Sequence, residues 1–469
     1  IDAAADAVAA SADIERCDVW VAAGIYHVYL TGVVNTIQLR TAVDVYGGFA
    51  GDETERDQRD FEANRTYLDG RQTTSSSNRV IHVVTGAGGA HLDGFVIAHG
   101  YANSGAPGER GGGMYNFNVT GVTVANCVFV SNYADTRGGA VYNENASIVF
   151  DNCVFASNSG GDEGGAVQNR TGAVAEFING LFQGNQAVRG GAVYVRDSSQ
   201  ATFRRCVLAG NTAADRGGAV YQETACQTNL ESCLLAGNHS INGGALQARG
   251  GGRARLAHGT VYANEGSTGV LHMRDATALT VVSSILWNAG VQEIFLDGGG
   301  PGPLLAVTYS DVDGGWAGAG NTAVNPLLAG TPLSAGTWTS VTHDPDTHTT
   351  ALLDTSAVWV PGALAGLLVQ PRTGEVAHFR IEDNTADRLL VWGDLEPFAG
   401  GGDPYTILDL RLRSDSSCID GADGLAWTET DLWGNPRVDV ETVADAFDCS
   451  AYGPECVSFA DIGALEYQP

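Results

Sequence analysis

The sequence has 469 residues, 54 acidic and 25 basic side chains, a formal net charge of −29 and 63 glycines; no lysine occurs, so every basic residue is arginine. A chain this acidic is unsuited to wrapping nucleic acid or an anionic membrane surface, and at 44% hydrophobic and 17% charged it is no disordered acidic tail. No run of about 18 or more apolar residues is present, so no membrane span is expected, and lysine is excluded as a base, Schiff-base former or phosphate anchor.

The opening at Ile1 predicts that a leader has been removed. The stretch IDAAADAVAASA then reads as a short helix capping the open end of a repeat array, because an uncapped terminal coil would expose sheet edge. Residues 1–109 form this cap and a set of irregular coils, carried by DVWVAAGIYHV, TIQLRTAVDVYGGFAG, RTYLDG, RVIHVVTG and HLDGFVIAHG.

From residue 110 to 275 the sequence repeats. A glycine pair begins GGGMYN at Gly111, GGAVYN at Gly138, GGAVQN at Gly164, GGAVYV at Gly190, GGAVYQ at Gly217 and GGALQA at Gly243, with a degraded TGVLHM at Thr268. The spacings are 27, 26, 26, 27, 26 and 25 residues. A second motif runs in phase and ends on Asn132, Asn158, Asn185, Asn211, Asn238 and Asn264. Each period holds short alternating β-formers between turn residues and lacks the 3.6-residue spacing of a helix. The expected fold is therefore all-β, a right-handed parallel β-helix with about 26 residues per coil, equivalent positions stacking about 4.8 Å apart. Three apolar columns fill its core: Met114, Val141, Val167, Val193, Val220, Leu246 and Leu271; Val124, Phe150, Phe177, Phe203, Leu230 and Leu256; and Phe129, Phe155, Phe182, Leu208, Leu235 and Val261. The asparagines read as a structural amide ladder, tolerating the left-handed turn and bonding to one another. Cys127, Cys153, Cys206 and Cys233 share another row. Their in-register Cβ atoms are too far apart for disulfides, so free buried thiols are expected.

Residues 276–335 continue as terminal coils. From Gly336 to about Asp409 the glycine pairs vanish and ordinary alternating strands appear, which predicts a small antiparallel β module inserted over 336–410. Residues 411–469 close the chain with CIDGADG, DLWGNPR and DIGALEY.

At these motifs the sequence resembles known bacterial families. The pairing of GGA(V/L) with FxxN or LxxN over roughly 110–265 resembles the polymorphic outer-membrane protein repeats of surface adhesins. The opening VWVAAGIY, YGGFAGDETERDQRD and TYLDG resemble the start of secreted right-handed β-helix proteins, and the closing motifs resemble the choice-of-anchor Q module. The resemblance implies a secreted or cell-surface protein and leaves its activity open.

For chemistry, the residues offer little clustering. Polysaccharide lyases of this fold need an arginine or lysine base beside calcium-holding carboxylates, and hydrolases need paired acids across a glycosidic bond; no adjacent Asp-Asp pair occurs. His99 and His258, each in Ala-His-Gly, read as coil-edge residues. One exterior face is richer. Tyr115, Tyr142, Tyr194 and Tyr221 alternate with amides in one row, flanked by Arg137, Arg189 and Arg216 on one side and Arg170 and Arg196 on the other. Tyrosine suits sugar rings and arginine forks suit carboxylates or sulfates; the competing reading is a solvated strand face whose Arg and Glu alternate to avoid stacking like charges. His343, Asp344, Asp346 and His348 in HDPDTH read as a loop more readily than as a metal site. No cofactor is required, and calcium is the ion that Asp420 and Asp423, near Asp431 and Asp461, would take. Of the nine cysteines, Cys449 and Cys456 are the disulfide candidates. The resulting expectation is a structural or adhesive protein that meets a polysaccharide, a host or cell surface, or copies of itself in filaments or a surface layer, leaning away from catalysis. The alternative is a polysaccharide lyase or glycoside hydrolase acting on an acidic polysaccharide.

Overall fold

A computed structural model describes residues 2–10, 15–105, 108–298, 304–419, 421–422, 430–433, 435–437 and 461–465. The chain divides into two compact units, Ile1–Ala201 and Thr202–Pro469. Each contains parallel β-solenoid with about 26 residues per coil, and about 11 coils are present in all among the described residues. No helix among these residues is long and apolar enough to cross a membrane.

In the first unit the expected helix forms at Asp2–Ala10. The coils that follow stack in strict register. Phe129 lies over Phe155 and Phe155 over Phe182, with ring centroids 5.1 and 4.6 Å apart and the rings nearly parallel. Phe150 stacks on Phe177 in the next column at 5.2 Å and meets Phe155 edge-on. Met114, Val141, Val167 and Val193 complete the third predicted column, all fully buried. Stacked and edge-on aromatic contacts of this kind add about 0.5–1.5 kcal/mol per pair beyond their area burial.

The glycine pair turns the chain and admits the next coil. Gly138 takes a left-handed φ of 59°, and a Cβ on Gly139 would lie 2.3 Å from the carbonyl oxygen of Gly165 in the following coil. Only glycine fits both places, which accounts for the period of the motif.

The asparagine ladder forms as expected, with one physical difference. The left-handed residue is the one before each asparagine, Ser131 at φ 55° and Ser157 at φ 51°, not the asparagine itself. Freed from the turn, the amide spans coils: Asn132 Nδ2 donates to Asn158 Oδ1 at 3.2 Å and Asn158 Nδ2 to Asn185 Oδ1 at 3.0 Å. Both amides also donate to a core-strand carbonyl, that of Ile97 or Phe129.

The second unit repeats this logic. Leu208, Leu235, Val261 and Leu286 stack in one column and Val220, Leu246, Leu271 and Ile294 in another. Its ladder runs from Asn211 through Asn238 and Asn264 to Asn288 and ends on Glu293, whose two oxygens accept from the backbone N–H and side-chain amide of Asn288 at 2.6 and 2.7 Å. Burial outweighs these bonds and pushes the Glu293 carboxyl up to about 8. Cys127, Cys153, Cys206 and Cys233 are free and buried, as the spacing predicts. His258 occupies a left-handed corner of its coil at φ 49°, in keeping with an edge position.

The antiparallel module is present as two four-stranded sheets between Leu328 and Leu412, slightly wider than the 336–410 expected from composition. Trp338 and Tyr405 stack at 3.8 Å in its core beside Val369, Phe379, Leu389 and Ile407. The module rests on the coils of its own unit where their outward side chains are smallest. Ala209 and Ala236 are fully buried there, and a Cβ on Gly237 would come within 2.2 Å of His378 Nδ1. His378 is buried at this contact and donates from Nδ1 to the carbonyl of Val376 at 2.6 Å.

Two outcomes follow from this packing. Asn238→Ala removes donors to Leu208 and Asn264 and the acceptor used by Asn211. It is expected to destabilise the second unit by about 2–4 kcal/mol, measured by denaturant unfolding. Burial lowers His378 from 6.5 to about 4. The unfolded chain therefore takes up a proton below pH 6.5 that the folded chain refuses until about pH 4. This contribution is fully present above pH 6.5 and is lost as pH falls through that window, on the order of 3 kcal/mol. Melts of His378→Gln should show a flatter acid limb than those of the parent, and an identical limb would contradict the assignment.

Candidate ligand-binding face

The exterior face expected to bind ligand is built on the strands that follow the glycine pairs. In the first unit these are Met114–Phe117, Val141–Glu144, Val167–Arg170 and Val193–Val195. Side chains alternate along each strand, so Val141 points into the core and Tyr142 and Glu144 point away from it. The residues just before the glycines, Arg110, Arg137, Glu163 and Arg189, are bridged in parallel register and form a neighbouring row.

The tyrosines lie beneath this surface and do not form it. Tyr142, Tyr194 and, in the second unit, Tyr221 are fully buried, while Tyr115 is half-exposed and stacks on Tyr142 at 5.7 Å. Parity along a strand sends a side chain outward but does not keep it uncovered. The Arg110 guanidinium lies over the Tyr142 ring at 5.3 Å, Arg196 over Tyr194 at 5.8 Å and Arg216 over Tyr221 at 5.9 Å. The flat faces expected to meet sugar rings are thus covered by the chain's own cations at three of the four positions. Burial, reinforced by a hydrogen bond to Glu144, raises the Tyr142 phenol to about 12, and burial with Glu223 does the same for Tyr221. Both hydroxyls hold their protons at neutral pH and donate to those carboxylates at 2.6 and 2.7 Å.

What the first unit presents is a lattice of ion pairs. Glu163, with only 3% of its side chain exposed, receives Arg137 Nε at 2.8 Å, Arg196 Nη1 at 2.9 Å and Gln168 Nε2 at 2.8 Å, with Arg189 Nη1 at 3.7 Å. Arg189 also grips Asp162 at 2.6 Å, and Arg170 and Arg196 share Asp197 at 3.0 and 3.3 Å. Arg110 reaches Glu144 at 3.4 Å and lies 3.9 Å from Glu109. Sequence reading picked out the arginines and missed the carboxylates that answer them. The available signal was Glu163 standing in the arginine row, together with Asp162 and Asp197 beside it. Among the described residues Arg137 commits only its Nε; its two terminal amino groups make no hydrogen bond to the protein, and its side chain is 22% exposed. In the second unit Arg216 pairs with Asp215 at 3.3 Å, and Arg249 lies 3.8 Å from both Glu223 and Asp275.

The remaining candidates fall elsewhere. The HDPDTH segment makes the turn between Ser340–Asp344 and Thr349–Leu353, with Asp344 Oδ1 accepting from the backbone of Asp346 and Thr347, a loop as expected. Asp431 similarly braces its own turn through Trp433 and Asn435. Among the described residues no group of three or more His, Cys, Asp or Glu is arranged to hold a metal ion. Asp420, Asp423, Cys449 and Cys456 lie outside the described residues.

No family model matches the chain, and no curated protein matches it. Among solved structures it is similar to the tailspike gp61 of Pseudomonas phage phi297, at 13% identity and TM-score 0.33 over 81% of this chain and 64% of that one. The chain thus spans less than two thirds of that tailspike's length. It is also similar to a mutant tailspike of E. coli bacteriophage HK620 solved with a pentasaccharide, at 12% identity and TM-score 0.23 over 87% of this chain and 89% of that one. The third is gp49 of Acinetobacter baumannii bacteriophage Fri1, a capsular polysaccharide depolymerase, at 10% identity and TM-score 0.23 over 84% and 77% of the two chains.

Because Glu163 is a nearly buried carboxylate among three arginines, Glu163→Ala should destabilise the first unit by about 3–5 kcal/mol, removing the carboxylate that Arg137 and Arg196 share. Glu163→Gln should cost less. Hydrogen exchange of the 137–196 coils measures both, and equal protection in the parent and the alanine variant would refute this role.

Proposed function

We propose that this chain is a secreted or cell-surface β-solenoid that binds an extended acidic polysaccharide without catalysis, along the arginine face of its first unit. The observation that carries the reading is Arg137, which holds its guanidinium in place through Nε on Glu163 and leaves both terminal amino groups to a ligand. A guanidinium fixed in this way offers a planar fork to a carboxylate or sulfate with little rotamer freedom left to lose. Its setting suits the same ligand. Against a chain charge of −29, the lattice sets Arg110, Arg137, Arg170, Arg189 and Arg196 against Glu109, Glu144, Asp162, Glu163 and Asp197. This balanced strip is where an anionic polymer meets least repulsion on an otherwise acidic protein. Rows in register also repeat a contact once per coil, which suits a polymer better than a small molecule. The resemblance of the repeats to surface adhesins, and of the closing motifs to choice-of-anchor Q, supports the location.

Retention on immobilised polygalacturonate and on a sulfated glycan tests the reading. Arg137→Ala should weaken binding about tenfold, or about 1.4 kcal/mol, and high salt should release the protein. Equal retention of parent and variant would remove Arg137 from the site. Release of unsaturated uronate, followed by ultraviolet absorbance, would replace binding with lyase chemistry.

A further inference from the structure

The second unit contains a cleft that the arginine face does not explain. Along one exterior row of its coils, Ala236 is followed in register by Tyr262 and then Trp287. The antiparallel module lies directly on the row where it is alanine. Where it becomes aromatic, a cavity of about 550 Å³ separates the two layers, walled by Gln370, Glu375, Glu265 and Asn325. That volume falls within the roughly 300–1,000 Å³ usual for small-ligand sites. Tyr262 and Trp287 are both half-buried, on adjacent strands about 4.8 Å apart, and so supply a continuous apolar floor. Tyr262 is set edge-on to His378 at 6.4 Å.

The walls select the ligand. Glu265 and Glu375 are exposed carboxylates, and no arginine is among the residues lining this cavity. Gln370 uses its Nε2 on the carbonyl of Glu375 at 2.5 Å, and its Oε1 accepts no hydrogen bond from a described residue. His239 Nδ1 lies 3.2 Å from one Glu265 oxygen and steadies that side chain. The polar rim is therefore rich in acceptors and carries negative charge. Such a rim matches a ligand with many hydroxyl donors and repels uronates and sulfates. A second cavity of about 290 Å³ shares Glu265, Glu375 and Val376 with the first, so the two adjoin along that edge; its one arginine, Arg372, is engaged by Asp403 at 2.8 Å.

We propose that this cleft binds a neutral, hexose-based glycan segment, with Tyr262 and Trp287 as the apolar floor and Glu265, Glu375 and Gln370 accepting its hydroxyls. The adjoining cavity extends the site beyond a single sugar ring. The proposal does not rest on the arginine face and asks for a ligand of the opposite charge character.

Isothermal titration of the full chain with cellotetraose, maltotetraose, mannotetraose, chitotetraose and tetragalacturonate tests it. At least one neutral tetrasaccharide should bind. Trp287→Ala should weaken that binding about tenfold or more, and Glu375→Ala, at an exposed loop position, should weaken it severalfold with an unchanged melting temperature. Arg137→Ala should leave it untouched, which separates this site from the arginine face. Binding of no neutral tetrasaccharide, neutral binding indifferent to both Trp287→Ala and Glu375→Ala, or a preference for tetragalacturonate lost in Trp287→Ala would each overturn the proposal.

Discussion

Within each solenoid unit, the constraint on which everything else depends is that a residue must coexist with its own counterpart one coil away. Parallel strands in register place equivalent side chains at a single short spacing, so each row is a test of self-compatibility. Phenylalanine passes by stacking, as Phe129, Phe155 and Phe182 do. Asparagine passes because its side chain donates on one side and accepts on the other. An uninterrupted row of one charge fails. The exterior rows accordingly mix Arg137, Glu163 and Arg189, and where Arg110 and Arg137 are bridged, Glu144 and Glu163 draw them apart.

The same constraint explains what could be read in advance. Apolar columns, glycine turns and the amide ladder depend only on the period and on residue type, and both are written along the chain. The free thiols of Cys127 and Cys153 follow from that spacing alone. The tyrosine row shows where such reading stops. The spacing places Tyr142 outside the core, yet its exposure depends on how Arg110 folds back over it, a choice of rotamer that no spacing encodes. The cleft was hidden for another reason. Its floor comes from Tyr262 and Trp287 and its wall from Gln370 and Glu375, about a hundred positions further on, and their meeting depends on where the module docks. The hint was present in the row itself, which changes from alanine to aromatic at Tyr262.

The two surfaces represent different uses of polar chemistry. In the first unit, carboxylates are spent on arginines, giving a balanced and largely self-satisfied lattice whose remaining capacity includes the terminal amino groups of Arg137. In the second, Glu265 and Glu375 stand near aromatic surface and make no ion pair with an arginine among the described residues, since Arg372 beside them is engaged by Asp403. Small residues make the arrangement possible, since Ala209, Ala236, Gly210 and Gly237 let the module approach closely on one side of the cleft.

The amide ladder of the second unit has a direction. Asn211, Asn238 and Asn264 each give their amide hydrogens to the oxygen of the next, so their dipoles add along the stack as peptide dipoles do along a helix. Such a stack has a donor end and an acceptor end, and its interior is indifferent to how many coils it contains. A coil of about 26 residues is thus a unit that duplication or deletion can add or remove without changing any interior hydrogen bond. The end is not interchangeable in this way, because the last amide needs an acceptor from outside the ladder. Glu293 fills that place and ends the ladder, while the coils themselves continue through Leu304–Thr308 and Asp311–Val312.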